Sequence, residues 1–153
     1  MQAGLHLAAA LAGCVLALVP ALSAPSGLRW PHLAMALGMA AGHFGGAPGL
    51  AVAVIGLLAA GWCSGSPAQR AKNGHHVADF ALMAVLLTLG AVGPSGPPAA
   101  HAHGGGLLAP VALAVAVGWT ASRAARALRR RHTACLCATG MAGCMAVMAG
   151  LAL

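Results

Sequence analysis

Apolar residues run through this chain in long blocks broken by short polar stretches, without the two-residue alternation of a half-buried strand. That pattern predicts transmembrane helices. Six blocks can be drawn, at about 5–22, 31–46, 48–63, 75–92, 107–122 and 132–153. Gly45, Gly46 and Ala47 separate the second block from the third, and Pro48 suits the first turn of a new helix. Polar residues from Ser64 to Gly74 precede the fourth block, a Gly-, Pro- and His-rich stretch precedes the fifth, and an Arg-rich turn leads to the sixth. The stretch from His32 to Cys63 is longer than the ~20 residues that cross a bilayer. It reads as two short spans, with one broken helix as the alternative. The expected fold is therefore all-α: a single domain over residues 1–153, built as an integral membrane bundle of six short transmembrane helices, with three pseudo-repeated helical hairpins as a possible internal order.

Composition sharpens this picture. Of the 153 residues, 60% are hydrophobic and 6% are charged, against roughly 25% charged in an ordinary soluble domain. So much apolar surface suits lipid, and the bilayer is the first expected partner. No Lys or Arg precedes the first apolar block, so a retained span is expected there rather than a signal peptide.

The formal net charge of +7 comes from eight Lys and Arg against one acid, Asp79. These cations flank the apolar blocks, so the positive-inside rule accounts for them and no nucleic-acid partner is implied. With six spans and both termini outside, Arg29, Arg70, Lys72 and the cations from Arg123 to Arg131 all fall on the cytoplasmic side. Trp30, Trp62 and Trp119 lie near the same helix ends, where interfacial indoles are favoured. With five spans, Arg29 and Arg70 fall on opposite sides. The outer loops carry His101 and His103, with His6 and His43 near the same surface.

The candidate chemistry lies in the even-numbered helices. The second has His32, Met35 and Met39, the fourth His76, Asp79 and Met83, and the sixth His132, Cys135 and Thr139. Offsets of three and seven share one helix face, so these faces can converge from one side. His32, Met35, Met39 and His43 fall within about 80° of arc. Imidazole with thioether is a soft ligand set that suits Cu(I); the plain alternative is that Met fills apolar gaps and helix-end His is interfacial. On the sixth helix Cys137, Met141, Cys144 and Met148 form a second sulfur face, with Met145 at its edge. Cys135 and Cys137 point about 200° apart and do not share one ion. Asp79 reads either as a functional carboxylate inside a span or as an N-cap of a fourth helix beginning at Phe80.

Other classes lack their residues. There is no Ser-His-Asp set, carboxylate pair, phosphate-cradling Gly loop or zinc-protease spacing, so the chain is not expected to be an enzyme. Two Phe and no Tyr are a thin supply for a haem pocket.

The segment from His32 to Met39, the His-rich start of the fourth block and the Cys/Met-rich sixth block resemble a family of small polytopic membrane proteins of unknown function, common in high-GC actinobacteria. The resemblance implies six spans in a bacterial inner (plasma) membrane and no established activity. Cys135 and Thr139 depart from its His/Met pattern. The leading functional expectation is a soft-metal, Cu(I) site used in metal handling or delivery. Its ligand candidates are His32, Met35, Met39, His76, Met83, His132 and Cys135, with Asp79 setting charge or orienting an imidazole. The alternatives are a scaffold or assembly subunit without metal, in a homo-oligomer or with a membrane-protein partner, and a small proton-coupled carrier using Asp79 and His76.

Overall fold

A computed structural model describes residues 2–23, 29–64, 67–92, 105–130, 133–151 and 153, with side chains except at 67–73, 92, 105 and 106. The described residues form six helices: α1 (Gln2–Ser23), α2 (Trp30–Phe44), α3 (Gly46–Ser64), α4 (Pro67–Val92), α5 (Gly105–Arg130) and α6 (Thr133–Leu151). Five of them, α1 and α3 to α6, contain stretches long and apolar enough to cross a membrane. The sixth, α2, has 15 residues and so is about 22 Å long, shorter than the ~30 Å hydrocarbon core.

Each helix packs beside the next in sequence, and α1 returns against α6, so the six close into a ring. Contacts across the ring join α4 to α2 and to α6. The helices run up and down. The start of α1, the end of α2, the start of α3, the end of α4, the start of α5 and the end of α6 line one common cavity. The start of α2 and the end of α5 meet α4 residues near 75–80 at the other end of the bundle. Arg29 and the α5 residues Arg123 to Arg130 belong to this second end.

Residues 32–63 form a hairpin rather than one long helix. Phe44 ends α2, Gly45 is the single residue between, and Gly46, at φ +60°, opens α3 in a backbone conformation that favours glycine. The Gly45 N–H donates to the Ala41 carbonyl at 2.9 Å. The hairpin closes so tightly that a Cβ on Gly49 would lie 2.5 Å from that same carbonyl oxygen. The oxygen cannot retreat without giving up the Gly45 bond. Gly49→Ala is therefore expected to destabilise the bundle by about 1–3 kcal/mol. Gly56→Ala, in the same helix with open space around it, should change little; thermal unfolding of the two variants in detergent checks the contrast.

Large apolar side chains sort by neighbour. Leu11, Val15, Leu37, Val52, Ile55 and Leu58 face outward, as lipid-facing residues do, while Ala and Met fill the ring. Small residues bring backbones together: a Cβ on Gly42 of α2 would lie 2.8 Å from Leu87 of α4.

Three expectations change. Helix α4 starts at Pro67 rather than near 75, which puts Asp79 in its interior and removes the N-cap reading. Helix α5 continues to Arg130 rather than ending at 122, because the Ala- and Arg-rich sequence after Ser122 propagates a helix well. Trp119 is not an interfacial anchor but a core residue, 3% exposed, whereas Trp62 is 87% exposed and fits the interfacial reading.

Candidate functional site

The cation-rich end of the bundle holds a buried polar cluster built on α4. His76, Asp79 and Phe80 are buried on adjacent turns of that helix, with Asp79 1% exposed, while the His75 side chain is exposed. A bare carboxylate at this depth would be costly, so its partners decide what it does. On α5, the Trp119 indole Nε1–H donates to Asp79 Oδ1 at 2.9 Å. One turn further, the Arg123 guanidinium forms an ion pair with Asp79 Oδ2 and donates through Nη2 to the His75 carbonyl at 3.1 Å. Trp119 and Arg123 are spaced by four residues, which places both on the α5 face toward α4. The carboxylate is thus neutralised and held by two donors from one neighbouring helix.

Beside this clamp stands a pair of imidazoles. His32, in the first turn of α2, meets His76 edge to face, with ring centroids 5.1 Å apart. Both residues are 8% exposed. His76 Nδ1 lies 3.5 Å from Asp79 Oδ2, too long for a strong hydrogen bond. It is buried without a hydrogen-bond partner. Trp30 stacks on Phe80 with centroids 6.0 Å apart and closes the cluster from the α2 side. Pro31, in the first turn of α2, has a ring that suits a helix start, and so helps set where His32 enters the bundle.

Beyond the imidazoles the ring is rich in sulfur. All six methionines with described side chains are buried: Met35, Met39, Met83, Met141, Met145 and Met148, none more than 4% exposed. Met39 reaches across to α1, with its terminal methyl where a Cβ of Gly13 would stand. Its Sδ lies 3.3 Å, and the Cys144 Cβ 3.5 Å, from that same point, so Met39 and Cys144 are neighbours around Gly13.

The expected residues are therefore brought together only in part. His32, Met35 and Met39 of α2 and His76, Asp79 and Met83 of α4 share one buried region. Cys135 is only partly buried on α6, a helix that packs mainly on α5 and α1. His132 lies outside the described residues, as do His101 and His103. Asp79 is engaged by Arg123 and Trp119, which leaves His32 and His76 as a buried imidazole pair beside that clamp. Among the described residues no three His, Cys, Asp or Glu side chains converge as a metal-holding group. That arrangement lacks the four ligands of a structural zinc site, while two imidazoles with thioethers remain suited to a soft ion of low coordination number.

Sequence reasoning missed Trp119 and Arg123. The sequence marks the Trp119 indole as an interfacial residue and the Arg123 guanidinium as a cytoplasmic charge. Their spacing of four on one helix, paired with the only acid in the chain, was the signal available. Comparison with protein-family models, with characterised proteins and with solved structures found no match.

Proposed function

We propose that this multi-pass membrane protein handles Cu(I), binding it at His32 and His76 and passing it to the methionine core. The observation that carries the reading is the inward placement of every described methionine in a bundle that also buries a pair of imidazoles. Thioethers are at home in lipid, so solvent does not force them inward, and Leu and Val take the lipid face instead. Two imidazoles bound through nitrogen at about 2 Å to one ion have ring centres about 5–6.5 Å apart, and the observed 5.1 Å lies in that range. Met35 follows His32 by three residues and Met83 follows His76 by seven, so both thioethers share the imidazole faces. Further in, Cys144 beside Met39 supplies a thiol that a bound ion would deprotonate, offsetting its charge where water is absent. Asp79 does not bind the ion in this reading; with Arg123 and Trp119 it fixes α4 against α5 and so positions His76.

The test is Cu(I) titration of the protein in mild detergent, in competition with a chromogenic chelator. Wild type should retain copper that a His32→Asn/His76→Asn variant of similar melting temperature loses. A wild-type protein that yields all its copper to the chelator would reject the reading. One observation favours a second reading, a proton-coupled carrier: the buried, unpartnered His76 Nδ1 beside Asp79. Copper-independent proton uptake into vesicles would select it.

The gathering of Arg29 and the α5 arginines at one end supports an orientation with that end in the cytoplasm and both termini outside. A reporter fused after Leu153 should be active only outside; cytoplasmic activity would invert the path proposed for the ion.

A further inference from the structure

The opposite end of the ring, away from the Asp79 cluster, encloses a cavity of about 310 Å³. Four of its lining residues are soft-metal donors: His6 of α1, His43 of α2, and Met145 and Met148 of α6. His6 and His43 meet edge to face with ring centroids 5.6 Å apart, again inside the range of about 5–6.5 Å for two imidazoles on one ion. His43 Nε2 is buried and has no hydrogen-bond partner, a state that needs an explanation in a packed bundle. Met145 and Met148 are each 4% exposed, while His6 is exposed, so the donor set has a sheltered side and an open one.

We propose that this cavity is a second Cu(I) site, with His6 and His43 as imidazole ligands and Met145 and Met148 as thioether donors. The donors are all neutral, and the only acid in the chain, Asp79, lies in the other cluster. A divalent ion would bring two charges to a place with nothing to offset them; a soft monovalent ion brings one and prefers these ligands. An acyl chain or other apolar ligand would fill the volume but leave the His43 nitrogen unsatisfied. His43 also continues the α2 face that carries His32, Met35 and Met39, so the two imidazole pairs stand at opposite ends of one His/Met stripe. The choice of ion rests on the copper reading above, but the site shares no residue with the His32–His76 pair.

Anaerobic Cu(I) titration of the whole chain in detergent separates the two ideas. Wild type should hold about two equivalents against the chelator, and His6→Asn/His43→Asn about one. Met145→Leu/Met148→Leu should weaken that same equivalent by about tenfold or more, with melting temperatures close to wild type. His32→Asn/His76→Asn should keep the outer equivalent. X-ray absorption on wild type gives a readout that needs no variant: nitrogen scatterers near ~2.0 Å together with sulfur near ~2.3 Å. A single equivalent that survives the His6/His43 changes, or binding at these residues that favours Zn(II), overturns the outer site and leaves the function standing. No copper at all overturns both.

Discussion

Replacing Arg123 with Met is expected to cost the bundle about 3–5 kcal/mol, the range for removing one partner from a buried ion pair. The change strands the Asp79 carboxylate, which is 1% exposed, with a single neutral donor, the Trp119 Nε1–H. It also takes the Nη2 donor from the His75 carbonyl. Asp79→Asn should be damaging for the reciprocal reason, since it leaves the guanidinium, at 7% side-chain exposure, without a counter-charge. This separates a helix-interior clamp from an N-cap, where Asn serves about as well as Asp. The double variant Arg123→Met/Asp79→Asn removes both charges and still offers Trp119 an amide oxygen, so it should recover most of the loss. Trp119→Phe should sit between, at about 1.5–3 kcal/mol for a hydrogen bond to a charged group. Thermal unfolding in detergent measures all four. A double variant no more stable than either single one would show that Arg123 and Asp79 are not coupled.

The helices were legible in the sequence because lipid imposes a coarse rule: a span must be apolar for about 20 residues, and composition shows where that holds. The same rule hid the ends. Residues Pro67–Asn73 are polar, so the apolar block begins after them, yet Ala, Gln, Arg and Lys extend a helix readily once it is nucleated. Asp79 consequently reads from the sequence as either an N-cap or a carboxylate inside the span, and the helix from Pro67 makes it an interior residue. The polar cluster was half legible. Offsets of three and seven placed His32 with Met35 and Met39, and His76 with Asp79 and Met83, because helical period fixes which residues share a face. Period says nothing about which neighbouring helix a face meets. An arginine one turn past an apolar run has the same sequence signature whether it snorkels to the surface or turns inward to a carboxylate. Arg123 turns inward, and only the packing of α4 on α5 shows it. Period is equally silent about where the α6 face goes. The ring places α6 between α5 and α1, with Cys135 partly buried and Met148 in the core.

Met39 gives the sharpest separation between packing and ligation. Its side chain is fully buried at 0% exposure and fills the space that Gly13 leaves between α1, α2 and α6. Met39→Ala should therefore cost about 2–5 kcal/mol, as a buried large-to-small change leaves a cavity that its surroundings fill only in part. Met39→Leu keeps the volume within a branched apolar side chain and should cost less than about 1.5 kcal/mol. If the thioether only packs, the Leu variant behaves as wild type in every respect. If the sulfur is a ligand, the Leu variant keeps its fold and still loses copper, because a methylene has no lone pair to offer a soft ion. The expected loss in Cu(I) affinity is at least the roughly tenfold that even an outer-shell partner is worth. Met35→Leu and Met83→Leu should follow the same pattern, and Leu57→Met, on the core face of α3, controls for methionine content. The two measurements are melting temperature and chelator-competed copper affinity on the same preparations. Leu variants that match wild type in both would reduce the methionine core to apolar filling and remove the proposed passage of the ion from His32 and His76 into it.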